Sequence, residues 1–397
     1  MNTSFSRVSA PEPSVWPFRM YLSSLTFSTL SDAATVVVLP YLVLPHAGTQ
    51  GLGWVLSAST LPRFFAPLLG TLADRMHLKL PLVVVLLLRA LLLIGVAQGS
   101  EHLWWVCVAG AINGLLATFS GTASSALVPA LAGEDRLKQA NTLLTGISMG
   151  LPLAGYGLAG MLMGHMEPSM LLFGCAGLTL LAVVPLLFMA FPERQSSVPV
   201  HFMLDLKQGL FELFRLQGSV VLMLLSGMLN LMLASLNTLM PGHFVDLGLG
   251  AKGYGWFEAG ISVGALLGMV LSGLLPQKHM SKQLIAGATL MGIAAPLCWL
   301  NLTPVWLGAA GMLGTGLSLL EIAAVTALQL MLPAEHRAKS FGVIMGINSL
   351  CLSGAGLISP LFAPLPYLLG MGLLVLVLGW LRGLQQEHMP LKPTSPS

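Results

Sequence analysis

Lys and Arg crowd into alternate gaps between long apolar runs in this chain. Fifteen of the eighteen sit at the two ends and in every second gap, whereas only one, Lys252, sits in the gaps between. The runs fall near 19 to 44, 53 to 73, 80 to 98, 103 to 131, 140 to 163 and 170 to 191, then near 219 to 241, 254 to 275, 283 to 300, 305 to 332, 341 to 362 and 366 to 383. Each approaches or exceeds the ~20 residues that carry a helix across a bilayer. Short loops rich in Lys and Arg resist translocation, so the alternation predicts a polytopic all-α membrane protein of twelve transmembrane helices, with both termini cytoplasmic. Composition agrees: charged residues are 8% of the chain, apolar residues 55%, and the mean hydropathy is +0.83. A soluble domain with about a quarter of its residues charged covers its surface in a way this chain cannot.

The runs divide the chain into a cytoplasmic tail (1–17), a first six-helix bundle (18–191), a cytoplasmic linker (192–218), a second six-helix bundle (219–383) and a tail (384–397). The first run is about 25 residues long with no small-residue cleavage site after it, which predicts a retained span and not a signal peptide. Within the linker, Phe202, Leu206, Leu210 and Phe214 recur every four residues beside Lys207 and Arg215, the pattern of a helix lying on the membrane surface; a partly ordered linker is the alternative. The halves repeat. Gly53-Trp54 and Gly255-Trp256 open the second and eighth spans at an offset of 202, and Val128-Pro129 and Leu332-Pro333 end the fourth and tenth at 204. A parallel duplication of six spans predicts two bundles around a central cavity.

Several chemistries are excluded or disfavoured. The net charge of +3 is spread over many loops, with no patch for nucleic acid. Cys107, Cys175, Cys298 and Cys351 lie in separate spans without metal-ligand or disulfide spacing, so they read as packing residues, and no metal or cofactor is expected. No GxxxxGK[ST] loop points to ATP. The fifth span contains a GxSxG (Gly146, Ser148, Gly150) and a GxGxxG (Gly155, Gly157, Gly160), but no strand precedes them and no His lies mid-span to activate Ser148. They read as a close-packed glycine face with Pro152 as a bend, not as an enzyme site. Gly260, Gly264 and Gly268 in the eighth span read as the matching face of the other half.

The loop after the second span reads GTLADRMHLK. Here the chain resembles the major facilitator superfamily, whose signature in this loop is G-x-x-x-D-R/K-x-G-R-R/K. Gly70, Asp74, Arg75 and Lys79 match, whereas His77 and Leu78 replace a glycine and a basic residue. The Ser31-Asp32 pair, LPRFFAPLLGTLADR and the LVPAL to Asn141 segment resemble the proton-driven drug, macrolide and siderophore exporters of that superfamily. The resemblance implies a conformational motif that includes Gly70, Asp74, Arg75, Lys79, Gly155 and Gly160.

Four ionisable residues, Asp32, Arg63, Arg89 and Glu321, lie deep in apolar runs. Counted at 1.5 Å per residue, all four are roughly 15–20 Å from the cytoplasmic face. Each costs at least ~2.5 kcal/mol to insert, so each should be paired, neutralised or turned to an aqueous cavity. In the superfamily the first, fourth, seventh and tenth spans line the cavity, so the resemblance puts Asp32 and Glu321 on opposite walls of one vestibule. Asp32 and Glu321 are the expected proton-coupling carboxylates, with Arg63 and Arg89 as counter-ions: Arg63 the partner of Asp32, Arg89 more structural on a peripheral span. A permanent ion pair between Asp32 and Arg63 is the plainer alternative. Asn113, Asn230, Asn237 and Gln329, with Ser120, are candidate ligand-reading side chains; Trp104 and Trp105 read as an interfacial aromatic belt, and Glu258 as a solvated rim residue.

These readings converge on a monomeric inner-membrane exporter of a small amphipathic organic molecule, drug-like or siderophore, driven by protons among membrane lipids. Its cavity is expected to be lined largely by Met, Leu and Phe. A lysophospholipid or other lipid-like substrate is the alternative cargo; a transporter-like sensor without flux is the non-transport one. The sidedness is directly measurable: a reporter active only in the cytoplasm should be active when fused after Arg337 and inactive when fused after Lys252.

Overall fold

The computed structural model describes residues 15–132, 137–191, 202–216, 218–276, 279–332 and 334–388, and among these every regular element is helical. The helices are α1 (Val15–Thr60), α2 (Ala66–Arg75), α3 (Lys79–Gly99), α4 (Leu103–Ala132), α5 (Leu137–Leu162), α6 (Pro168–Phe188), α7 (Phe202–Arg215), α8 (Ser219–Asp246), α9 (Gly250–Leu274), α10 (Met280–Leu297), α11 (Thr303–Met331), α12 (Ala334–Ile358) and α13 (Pro364–His388). Apart from α7 they make up the twelve-helix fold. In lipid a backbone must satisfy its own N–H and C=O groups, which explains helices running nearly end to end.

The first two spans are joined more tightly than their apolar runs indicate. α1 is continuous over 46 residues except at Gly48, where φ 61 and ψ −169 break the helix and divide two crossings. Only glycine adopts that backbone without strain. The second crossing then tightens into a 3₁₀ turn at Leu61–Phe65, around Pro62, before resuming as α2. Proline removes an N–H from the helical ladder, so the turn is re-formed with closer bonding.

Both halves bury apolar residues in their own interiors. Phe18, Leu82, Leu86, Phe119, Leu127 and Leu186 cluster within the first bundle. A larger cluster runs through the second bundle and across the distal junction, with Val37, Leu52, Phe244, Tyr254 and Trp306. By distal we mean the end of the bundle opposite the chain termini. The outward face is apolar too, as a lipid-facing surface requires: Val84, Leu87, Leu88 and Leu91 of α3 are exposed. At the distal end Trp104 and Trp105 are exposed as well, and Trp104 meets Trp54 edge to face at 5.8 Å.

Two glycine crossings join the halves, and they occur at duplicated positions. Gly53, in the second crossing, lies directly against the Gly356 carbonyl of α12, and Gly255 of α9 lies against α5, where an added methyl would come within 2.7 Å of the Tyr156 carbonyl and 2.9 Å of the Gly160 Cα. The tryptophan after each glycine, Trp54 or Trp256, is exposed. Small residues let backbones approach in lipid, where no hydrophobic force holds helices together. Next to Gly53, Ser57 and Ser353 each donate to the other's carbonyl, at 2.5 and 2.8 Å, and Ser349 donates to the Thr60 carbonyl at 3.0 Å. Tyr41 donates to the Pro241 carbonyl at 3.4 Å, also between halves.

Other expectations fare differently. Gly260, Gly264 and Gly268 form the expected close-packed face of the second half, against Ala310, Gly311 and Thr315 of α11, while the contact of this helix with the first half is at Gly255. Gly155 faces Ala33 of α1, 2.6 Å from an added methyl, whereas Gly157 faces open space. In α7, Leu210, Phe211 and Phe214 are exposed while Leu213 is fully buried; the side chains of Phe202 and Leu206 lie outside the described residues. The four cysteines are free, three of them buried.

Gly255→Val should cost about 1–3 kcal/mol by overpacking, read as a lowered Tm of the detergent-solubilised chain. Gly157→Ala should leave Tm unchanged or slightly raised.

Candidate functional site

Helical spacing on α1 and α4 lays a polar stripe along a cavity inside the first bundle. Tyr21, Ser24, Ser28 and Asp32 recur at three and four residues along one face of α1, and Ala117, Ser120 and Ser124 do so on α4. α3 closes the cavity with Leu82, Leu86 and Arg89, the face opposite its exposed Val84, Leu87 and Leu91. The cavity holds about 330 Å³.

At its deep end Arg89 is 5% exposed and donates three ways: from Nη2 to Asp32 Oδ1 in an ion pair, from Nε to Asn113 Oδ1 at 2.9 Å, and from Nη1 to Ser28 Oγ at 3.3 Å. A buried guanidinium needs such a set, since its five donors are costly to leave unmade. The Asp32 side chain is 51% exposed, so one face of the carboxylate is spent on Arg89 while the rest is open to the cavity. Near the other end Tyr21 donates to Ser124, and Ser24 donates to the Ala182 carbonyl at 2.7 Å. The Ser120 hydroxyl is buried without a hydrogen-bond partner.

A second cavity, about 460 Å³, lies between the halves. Arg63 and Glu321 both line it, with Asn230, Asn348, Thr118 and Ser349, and it shares Ala117 and Gly121 of α4 with the first. Arg63 and Glu321 are both exposed, and among the described residues neither enters an ion pair. The amide of Asn230 donates to the Ser226 carbonyl at 2.9 Å and that of Asn348 to Ser226 Oγ at 2.8 Å.

The expected pairing of Asp32 with Arg63 is therefore corrected: the partner is Arg89. Arg63 sits on the 3₁₀ turn, whose tighter winding turns it into the second cavity, and it senses Asp32 only through space. α3 is peripheral as expected, with its outer face exposed, but it turns Arg89 inward to Ser28, Asp32 and Asn113. Asp32 and Glu321 line two adjoining cavities, not opposite walls of one. Asn113 stands at the first cavity's ion pair as an acceptor for Arg89, and Asn230 lines the second; Asn237 and Gln329 line neither. The Asn237 Oδ1 is buried and unpartnered. Leucines and hydroxyls, with a single Met and no Phe, line the cavities in place of the expected Met, Leu and Phe. Glu258 is 6% exposed and no rim residue. Gly70 faces Thr122 of α4 and Lys79 starts α3 exposed, whereas the side chains of Asp74 and Arg75 lie outside the described residues. The hydroxyl stripe of Tyr21, Ser24, Ser28 and Ser124 was missed, although its three-and-four spacing is written in α1 and α4. Among the described residues no three His, Cys, Asp or Glu side chains gather as metal ligands.

Two helical bundles thus enclose cavities in which hydroxyl, amide and charged side chains are set among apolar ones. The Major Facilitator Superfamily profile matches residues 21–360, and the chain belongs to that family. It is accordingly a multi-pass membrane transporter of a small molecule and not an enzyme. A comparison with curated proteins finds no match. Among solved structures it is similar to the nucleoside transporter NupG, at 15% identity over 92% of this chain and 98% of that one, with a TM-score of 0.74, and to a point mutant of NupG at 0.75 and 14% identity, over 94% and 100%. It is similar too to a bacterial homolog of the human lysosomal transporter Spinster in an inward-facing, unoccupied conformation, at 13% identity over 98% and 100%, with a TM-score of 0.73. At these identities the likeness is one of fold.

Asp32→Asn should strip Arg89 of its anion and cost about 1–3 kcal/mol, below the 3–5 of a fully buried pair because Asp32 is half solvated. A double-mutant cycle of Asp32→Asn with Arg89→Gln, read by thermal melting, should show coupling between the two positions, and Arg63→Gln with Asp32→Asn should show much less.

Proposed function

We propose that the protein exports a small amphipathic organic molecule, drug-like or siderophore, across a cytoplasmic membrane by alternating access, and that Asp32 couples the cycle to protons. The observation that carries this reading is the half-exposed Asp32 carboxylate facing a cavity while its other side is held by the buried Arg89. A carboxylate so placed can be ion-paired in one shape and protonated in the other, since taking Arg89 away in a low-dielectric site favours the neutral acid. Glu321, exposed at the inter-bundle cavity that Arg63 also lines, is the second proton or substrate position.

The cavity volumes, about 330 and 460 Å³, are in the range of drug-sized ligand sites. Leucines would take the apolar part of the cargo, and the hydroxyl stripe with Asn230 its polar part. The proton gradient, the outward direction, the inner-membrane location and the monomer belong to this reading together with the resemblance to exporters noted from the sequence.

In proteoliposomes with an imposed pH gradient, the wild-type chain should accumulate a fluorescent amphipathic amine against its gradient with proton counterflow. Asp32→Asn should lose the proton-driven component by about 10²-fold or more while keeping downhill exchange. Full proton-driven transport by that variant would refute the coupling role.

A further inference from the structure

Glu258 lies on α9, one turn from Tyr254 and just below the Gly255 crossing, inside the contact that closes the two halves at their distal end. It is 6% exposed, its Oε1 has no hydrogen-bond partner, and among the described residues no Lys, Arg or His pairs with it. The titratable groups around it are phenols: Tyr254 on its own helix, which hydrogen-bonds the carboxyl group and offsets part of the cost of its charge, Tyr156 of α5 in electrostatic reach, and Tyr41 of α1, whose ring is 6.4 Å from that of Tyr254. α11 faces this stretch of α9 with Leu307 and Ala310, and α8 with Phe244 against Phe257. The nearest basic side chain along α9, Lys252, is exposed. An ionised carboxylate buried in such a setting costs several kcal/mol without a counter-ion, whereas the protonated acid is merely a polar group short of one bond.

We propose that Glu258 is a further proton-binding site of the carrier: loaded when the halves close at the Gly160–Gly255 crossing and emptied when they part there. The proton comes from water on the distal side and returns to it, so no other reactant takes part. Opening the crossing separates α9 from α5 and gives the carboxylate water, which removes the penalty on its charge. The site is distinct from the cavities, since Glu258 lines neither. The proposal rests on the two-shape cycle of the proposed function but not on its cargo or on Asp32.

The test is a distance measurement on the full chain. Spin labels go on Met161→Cys and Lys252→Cys, at the distal ends of α5 and α9, with Cys107, Cys175, Cys298 and Cys351 replaced by Ala. Pulsed electron resonance is then recorded in nanodiscs between about pH 5 and about pH 8. Raising the pH should move the population toward the longer distance, because the open shape binds one proton fewer; a single linked proton changes the equilibrium by up to about tenfold per pH unit. Glu258→Gln should reduce that slope by one proton and hold the short distance, and Glu258→Asp should restore it. Glu258→Met serves as the uncharged variant if the Gln protein does not fold. A Glu258→Gln or Glu258→Met slope equal to wild type, or a pH-independent wild type, overturns the proposal. Asp32→Asn in the same assay keeps the Glu258 component whatever its effect on transport, so the two readings fail separately.

Discussion

Direct backbone contact between the two bundles is the interaction on which the rest depends. Lipid supplies no hydrophobic force to press helices together, so the halves are joined where missing side chains let the α5–α9 and α1–α12 pairs touch. The duplicated Gly-Trp places one glycine in each crossing and turns the neighbouring tryptophan outward. Around the first crossing Ser57, Ser349 and Ser353 donate to carbonyls across it, and the Thr60 and Ser353 hydroxyls bond to each other. Such short-range contacts are strong when made and vanish within an ångström or two of separation.

Charge inside the membrane is handled in three different ways in one molecule. Arg89 and Asp32 neutralise each other with Asn113 and Ser28 as auxiliaries. Arg63 and Glu321 are left exposed to a cavity. Glu258 is almost wholly enclosed, and among the described residues it has no cation beside it. The first arrangement keeps a charge pair at depth, the second makes a polar compartment, and the third is compatible with a proton in place of a counter-ion.

The architecture was legible in the sequence because bilayer thickness and the Lys/Arg asymmetry act on local composition: span number, the linker helix at Phe202–Arg215 and the family all follow from segments read one at a time. The carboxylates and arginines at depth were legible for the same reason, since any charge in an apolar run stands out. Arg89 and Arg63 show the limit. Both lie about midway along their spans, but which one meets Asp32 depends on the azimuth of two helices and on a 3₁₀ turn that shifts Arg63 by a fraction of a turn.

Composition and spacing thus determined what crosses the membrane, how often, and which residues must find a partner there. Packing decided who the partners are: Arg89 for Asp32, Gly160 for Gly255 and, among the described residues, no cation for Glu258. Crossing a bilayer is a property of one helix and its solvent, so it can be read along the chain. Pairing is a property of two helices and the angle between them, and that angle is set only when the whole bundle closes.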